Sequence, residues 1–156
     1  YDGEKAVKNL LDRYFIVRTA WVFGLNGNNF VKTMLNLGKK YNQLRVVNDQ
    51  IGSPTYTYDL AVLLADMVVT EKYGVYHATN GGFISWYDFA VEIFKQAGYA
   101  TDVVPVTTEE YGLNKAPRPF NSRLDKSKLT ENGFSMLPDW KDALARYLKE
   151  IKYGAD

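Results

Sequence analysis

The strongest constraint on the fold of this chain is the alternation of short apolar runs with segments whose apolar residues recur at helical spacing. Buried strands are indicated at 14–19, 44–47, 74–79 and 103–106. Helical spacing occurs at 3–11, 28–41, 58–70, 85–97 and after 138. Such alternation is typical of folds in which crossover helices connect mostly parallel strands. We therefore predict an α/β fold.

Local signals define the ends of some helices. Ser85 and Asp88 have the spacing of a reciprocal N-terminal cap, and Gly98 is a typical stop for the same helix. Thr107 or Thr108 is expected to cap a brief helix that follows the last strand. The chain begins inside a helix that has no evident N-cap, and this favours a piece of a longer protein.

The composition excludes several classes of function. A net charge of +1 provides no global field for binding nucleic acid or an anionic membrane. Without cysteine, and with His77 as the sole histidine, the chain has no disulfide framework, thiolate nucleophile or histidine-rich metal site. The longest apolar run, 60–69, contains Asp66 and is too short to span a bilayer. We expect a cytoplasmic protein in which His77 has a structural role.

Ligands of parallel sheets bind beyond the carboxyl ends of the strands. The loops after 19, 47 and 79 are therefore candidate site loops, and two of the three are unusually polar and rich in glycine or asparagine. Aromatic residues make up 15% of the chain, and their flat faces suit sugar rings and bases. Core packing is the alternative for most of these aromatic residues, because pockets are few in any protein.

Five segments, in the same order along the chain, carry a resemblance to a known family. They are 17–24 (VRTAWVFG), 27–30 (GNNF), 48–55 (NDQIGSPT), 74–78 (GVYHA) and 118–124 (RPFNSRL). Together they resemble the dTDP-4-dehydrorhamnose reductases, which are extended short-chain dehydrogenases. The resemblance covers nearly the whole chain. It implies a remnant of a Rossmann-like parallel sheet with a small α/β sugar-nucleotide-binding domain.

The resemblance also implies an activity. These enzymes reduce dTDP-6-deoxy-L-lyxo-4-hexulose to dTDP-L-rhamnose with NADPH or NADH. Residues 1–156 would then form a single C-terminal piece that includes the substrate-binding domain, with the N-terminal dinucleotide-binding domain absent. We expect this piece to bind a dTDP-sugar, to hold no cofactor and to be inactive alone. A homodimer is a possible assembly.

The family's proton donor is a tyrosine that is followed four residues later by a lysine. Tyr1 and Lys5 have this spacing. However, the segment 3–7 matches a Gly-Glu segment that follows the catalytic pair in the family, at a sensible distance from Arg18. We therefore interpret Tyr1 and Lys5 as a coincidence of spacing and assign no catalytic residue to this chain.

The resemblance assigns two residues most directly to the substrate. Trp21 falls where the family has a tryptophan close to the sugar, and its alternative role is loop packing. Arg118 is the candidate for the diphosphate, because a guanidinium forms two parallel hydrogen bonds with phosphate oxygens. The alternative for Arg118 is a solvated surface arginine.

Six further polar residues are candidate substrate contacts: Asn28, Asn29, Asn48, Gln50, Asn121 and Ser122. Amides suit a pyrimidine base or sugar hydroxyl groups, and a helix N-terminus attracts anions. Helix capping and hydrogen bonds within loops are the alternatives, since these residue types favour both.

Two rival functions remain open from the sequence. The first is a non-catalytic binding module or regulatory subunit with the same fold, because fold alone does not define function. The second is a reductase or epimerase that acts on another nucleotide sugar.

Overall fold

The computed structural model describes residues 1–112 and 118–153, and it confirms the α/β prediction. The helices are α1 (Asp2–Leu10), α2 (Phe30–Gly38), α3 (Thr57–Val68), α4 (Trp86–Ala97), α5 (Thr108–Tyr111), α6 (Ser127–Glu131) and α7 (Trp140–Tyr153). The strands are β1 (Phe15–Arg18), β2 (Val22–Phe23), β3 (Gln43–Val47), β4 (Ile51–Gly52), β5 (Thr55–Tyr56), β6 (Gly74–His77), β7 (Ile84–Ser85) and β8 (Asp102–Val106).

The strands of the described residues associate in pairs. β1 lies parallel to β6, β2 to β5 and β3 to β8, whereas β4 and β7 are antiparallel. Each parallel pair is connected through at least one helix, as parallel strands require. The predicted, mostly parallel arrangement is confirmed.

Two hydrophobic clusters hold these elements together. The larger one joins α2, α4 and α7 to β2, β3 and β5, and buries Phe23, Phe89 and Tyr147. The smaller one joins α3 and α6 to β6, and buries Met67 and Leu129. Full burial of a large apolar side chain contributes about 1.5–3 kcal/mol. The larger cluster therefore fixes α2 and α4, which also border the candidate site.

The predicted caps form as expected. The Ser85 hydroxyl accepts the Asp88 amide at 3.0 Å, and the Asp88 carboxylate accepts the Ser85 amide at 3.1 Å. Gly98 ends α4 with a φ of 75°, in the left-handed region that favours glycine. Thr107 caps α5 and exchanges the same pair of hydrogen bonds with Glu110.

Some helix ends differ from the prediction. α2 begins one residue after its cap, Asn29, and stops at Gly38 instead of near 41. The Leu37 carbonyl accepts the amides of both residue 40 and residue 41, so the chain tightens into a turn there.

A buried polar cluster anchors the loop that follows β6. Asn80 is fully buried, and its side-chain oxygen accepts the Tyr56 amide at 2.7 Å. Its side-chain nitrogen donates to the Asp59 carboxylate at 2.7 Å and to the Pro138 carbonyl at 3.0 Å. Arg146 donates to both carboxylate oxygens of Asp59 at 2.8 Å. These bonds tie α3, α7 and the 80–83 loop together.

Candidate functional site

A cleft of about 650 Å³ opens beside α2, α4 and β3. The sequence-predicted residues that line it are Trp21, Gln50, Arg118 and Ser122. The rest of the lining is Ala20, Phe30, Met34, Leu37, Leu44, Arg45, Val46, Val47, Trp86, Tyr111 and Pro119. Most of these side chains are apolar, and two are arginines. A cleft with this lining suits a ligand that has both a hydrophobic part and an anionic part.

Stacked tryptophans form the hydrophobic wall of the cleft. The rings of Trp21 and Trp86 lie 3.6 Å apart at 12°, and Phe30 packs on Trp86 at 4.6 Å. Trp21 has a φ of +50°, and no other described residue except glycine has a positive φ. Such a conformation costs about 1–3 kcal/mol and persists where the surroundings enforce it, often at functional sites. The helical spacing of 85–97 gave no sign that Trp86 lines the cleft.

Two guanidinium groups form the cationic side. Arg118 is exposed at the start of the described segment 118–153 and borders the cleft. Arg45 projects from β3 into the same cleft, and its Nη2 donates to the Glu110 carbonyl at 3.2 Å. No signal of binding is present in the sequence at Arg45, because this arginine lies within an apolar strand.

The loop after β3 is held against the start of α5. Gln50 is 6% exposed, and its amide donates to the Thr108 hydroxyl at 3.0 Å. The Asp49 carboxylate accepts the Thr108 amide at 2.9 Å and its hydroxyl at 2.6 Å. Burial alone would raise the pKa of Asp49, but the hydrogen bonds from Thr108 hold it below its usual value. The Thr108 hydroxyl therefore holds Gln50 at the cleft, and Asp49 in turn holds Thr108.

Asn28 and Asn29 do not line the cleft. Asn29 caps α2 by accepting the Lys32 amide at 3.0 Å. Its nitrogen donates to the Gly24 carbonyl at 2.9 Å and to the Tyr147 hydroxyl at 3.1 Å. Asn28 is exposed beside it. The structure shows for Asn29 the capping role that the sequence offered as its alternative.

Asn48 and Asn121 also lie outside the cleft lining. Asn48 is exposed at the end of β3, where its backbone amide donates to the Val106 carbonyl at 2.9 Å. The Asn121 side chain accepts from the Arg123 amide at 3.1 Å and from its guanidinium at 2.9 Å. For Asn121 the structure shows hydrogen bonds within its own loop.

Tyr1 and Lys5 form a contact with each other on the first turn of α1. The Lys5 ammonium lies 4.4 Å from the centre of the Tyr1 ring. Tyr1 is 84% exposed, and neither residue lines the cleft.

His77 lies in β6 as predicted, with its Nδ1 2.9 Å from the Asp125 carbonyl. Across residues 1–112 and 118–153, no group of three or more acidic or histidine side chains could hold a metal ion. Over the same ranges, no helix is long and apolar enough to cross a membrane.

The fold and the cleft define an α/β module with a candidate ligand site beside α2, α4 and β3. The family model described as "RmlD substrate binding domain" matches residues 1–153. This chain therefore belongs to the RmlD substrate binding domain family.

Known proteins resemble the chain over nearly its full length. The spore coat polysaccharide biosynthesis protein SpsK of Bacillus subtilis is 44% identical over 99% of this chain and 53% of its own length. A dTDP-4-dehydrorhamnose reductase of Aggregatibacter actinomycetemcomitans is 44% identical over 92% of this chain and 52% of its own. A Bacillus anthracis dTDP-4-dehydrorhamnose reductase, solved in complex with NADP, is 47% identical with a TM-score of 0.91, and the match covers 96% of this chain and 52% of that one. The chain thus spans about half the length of these relatives.

Proposed function

We propose that this chain is the sugar-nucleotide-binding part of an enzyme that reduces dTDP-6-deoxy-L-lyxo-4-hexulose to dTDP-L-rhamnose. The observation that carries the proposal is a cleft in which the Trp21–Trp86 wall faces the same space as Arg45 and Arg118. A dTDP-deoxyhexose has an apolar sugar edge and a diphosphate, and it needs both surfaces at once. The reductases among the relatives support the same reaction.

Each part of the cleft has a proposed partner on the substrate. Trp21 packs against the deoxyhexose, and Arg118 binds the diphosphate together with Arg45. Gln50 and Ser122 are within reach of hydroxyl groups or the base at the same cleft. Asn28, Asn29, Asn48 and Asn121 remain weaker proposals, because they lie outside the cleft lining.

The chemistry needs groups that this chain does not supply. Hydride transfer to the keto carbon leaves an oxyanion, which a tyrosine beside a lysine protonates in the family. The 156 residues contain no G-x-G-x-x-G turn of the kind that binds a dinucleotide. We therefore place NADPH, or NADH, and the proton donor on another part of the intact enzyme. We infer that residues 1–156 form one substrate-binding piece that is inactive alone. We also expect that the intact enzyme lies in the cytoplasm, with a homodimer as its assembly.

Binding of dTDP-L-rhamnose to this chain tests the proposal. Hydrogen bonds to a charged group contribute about 1.5–3 kcal/mol, so Arg118→Ala should raise Kd about tenfold or more in titration calorimetry. The matched control is Arg13→Ala, which removes the same charge from an exposed position outside the cleft and should leave Kd unchanged. Equal Kd values for the wild type and Arg118→Ala would refute the assignment of Arg118. Absence of any binding to the wild type would refute the proposed function.

A further inference from the structure

Gly52 lies where three elements of the cleft meet. It is buried in β4, which pairs with β7 so that Gly52 lies opposite Ile84, just before Trp86 begins α4. On its other side, the Ile51 carbonyl accepts the Ser122 amide at 2.8 Å. The loop that carries Trp21, the segment that follows Arg118 and the start of α4 therefore converge on this one residue.

No side chain fits at this position. A Cβ added to Gly52 would lie 2.6 Å from Cε2 and 2.8 Å from Cζ2 of Trp21, and 2.5 Å from the Ser122 hydroxyl oxygen. Carbon atoms in contact normally lie about 3.5–4.0 Å apart, so the indole would have to move by about 1 Å. The serine hydroxyl can rotate away only by giving up its hydrogen bond to the Ile51 carbonyl at 3.1 Å. The indole is also held by Trp86, whose ring stacks on it at 3.6 Å.

The requirement for glycine here is one of space and not of backbone conformation. Gly52 is absent from the described glycines with positive φ, which include Gly82 and Gly98. An alanine could adopt the same backbone, and only its methyl group would collide. The methyl group would collide with Trp21, which is the proposed sugar contact. It would also collide with Ser122, which lies in the same segment as Arg118, the proposed diphosphate contact.

We propose that Gly52 is a positioning residue for the sugar nucleotide: its missing side chain lets Trp21 stack on Trp86 at a fixed distance from the Arg118–Ser122 segment. The role of Gly52 rests on the proposed function, because it concerns the sugar side of that same cleft. It predicts that a methyl group at position 52 changes recognition of the sugar more than recognition of the dTDP moiety.

The first experiment compares two ligands. Titration calorimetry measures Kd for dTDP and for dTDP-L-rhamnose, and the quotient of the two is the preference for the sugar. Gly52→Ala should reduce this preference about fivefold, since an aromatic contact of this kind is lost. A loss of stability by itself would change both Kd values together and leave the quotient unchanged.

Two alanine variants at other glycines serve as controls. At Gly81 an added Cβ meets its nearest atom, Asp139 Cα, at 3.5 Å, which is ordinary contact. At Gly38 it would lie 2.5 Å from Phe94 Cε1 in the core, and neither Gly38 nor Phe94 lines the cleft. Gly81→Ala controls for the change of residue type, and Gly38→Ala controls for destabilisation. Both should retain the wild-type preference.

The second experiment needs no ligand. Two indoles stacked at 3.6 Å couple their electronic transitions, and wherever their transition dipoles are not parallel this coupling gives a paired band of opposite signs in circular dichroism. Trp86→Phe identifies this band, since Trp140 packs elsewhere, on Phe89. Gly52→Ala should abolish or shift the band, and the two control variants should keep it. An unchanged band in folded Gly52→Ala would overturn the proposal.

A double-mutant cycle covers the case in which Gly52→Ala is too unstable to study alone. Phenylalanine lacks the outer part of the indole that the new methyl group would meet. In a Trp21→Phe background, Gly52→Ala should therefore lower Tm much less than in the wild type. Equal losses of Tm in the two backgrounds would overturn the proposal. If the wild type does not prefer dTDP-L-rhamnose over dTDP, the proposed function fails. The circular dichroism band and the Tm values of the double-mutant cycle would still test whether Gly52 positions Trp21.

Discussion

Replacing Asn80 by alanine should unfold the chain at much lower urea concentrations, although Asn80 is no part of the cleft lining. Asn80 is fully buried, and its side chain makes three hydrogen bonds, to the Tyr56 amide, the Asp59 carboxylate and the Pro138 carbonyl. An alanine makes none of them. The consequence for each partner differs, and the expected magnitude follows from those differences.

The Tyr56 amide loses its side-chain acceptor in a buried setting, which costs about 1–3 kcal/mol. Asp59 loses one charge-assisted bond but keeps Arg146, so this part is near the lower end of about 1.5–3 kcal/mol. The Pro138 carbonyl still accepts the Gly81 amide at 2.8 Å and loses little. Together these losses should lower the free energy of unfolding by about 3 kcal/mol. Contributions from neighbouring groups are not strictly additive, so this total need not equal the sum of the separate losses.

Urea denaturation followed by circular dichroism measures this loss, with an unchanged slope m as the sign that both variants unfold alike. Asn36→Ala is the matched control, because Asn36 lies exposed in α2 and should change stability by less than about 0.5 kcal/mol. A loss below about 1 kcal/mol for Asn80→Ala would contradict the account, since it would mean that the Tyr56 amide finds another partner at little cost.

Two further predictions concern pH and association. Burial lowers the pKa of Lys126, whose ammonium donates to the Thr79 hydroxyl and the Asn80 carbonyl. Between that lowered pKa and 10.5 the unfolded chain binds the proton and the folded chain does not, so the free energy of unfolding should rise with pH. Lys126→Met should remove this rise and the exposed control Lys149→Met should keep it; equal pH slopes would contradict the assignment. Tyr58 and Val62, which are 60% and 50% exposed, share one face of α3, and Val69, which is 83% exposed, follows its last residue. Exposed apolar surface of this kind favours association. Sedimentation velocity should show self-association that Val62→Lys reduces and Asn36→Lys does not, whereas a monomer at all concentrations would refute this reading.

The parts of the fold that the sequence predicted are those with local causes. The Ser85–Asp88 cap and the Thr107 cap were predictable because the interacting groups are three residues apart. The strands β2, β4, β5 and β7 were missed because each has two residues, too few for an alternating pattern. Such strands exist only through pairing with distant segments.

The candidate site divides in the same way. Trp21 and Arg118 were predicted from a resemblance, and the structure brings both to one cleft. Arg45 and Trp86 were missed because one lies in an apolar strand and the other on an apolar helix face. Asn29 shows the reverse problem, since a residue type that suits a ligand also suits the N-terminus of a helix.

Sequence patterns do not show which residues that are distant along the chain pack closely together, and Gly52 is an example. Trp21, Gly52 and Ser122 are separated by about 30 and 70 positions, so no periodicity relates them. A glycine in the polar stretch 48–55 is typical of a turn, and its pattern is the same whether or not an indole lies against it. The distances at Gly52 instead follow from the packing of β4 between β7 and the Arg118–Ser122 segment. The tryptophan wall and the cationic side of the cleft are thus joined through a residue that need not touch the ligand, and their spacing depends on what that residue lacks.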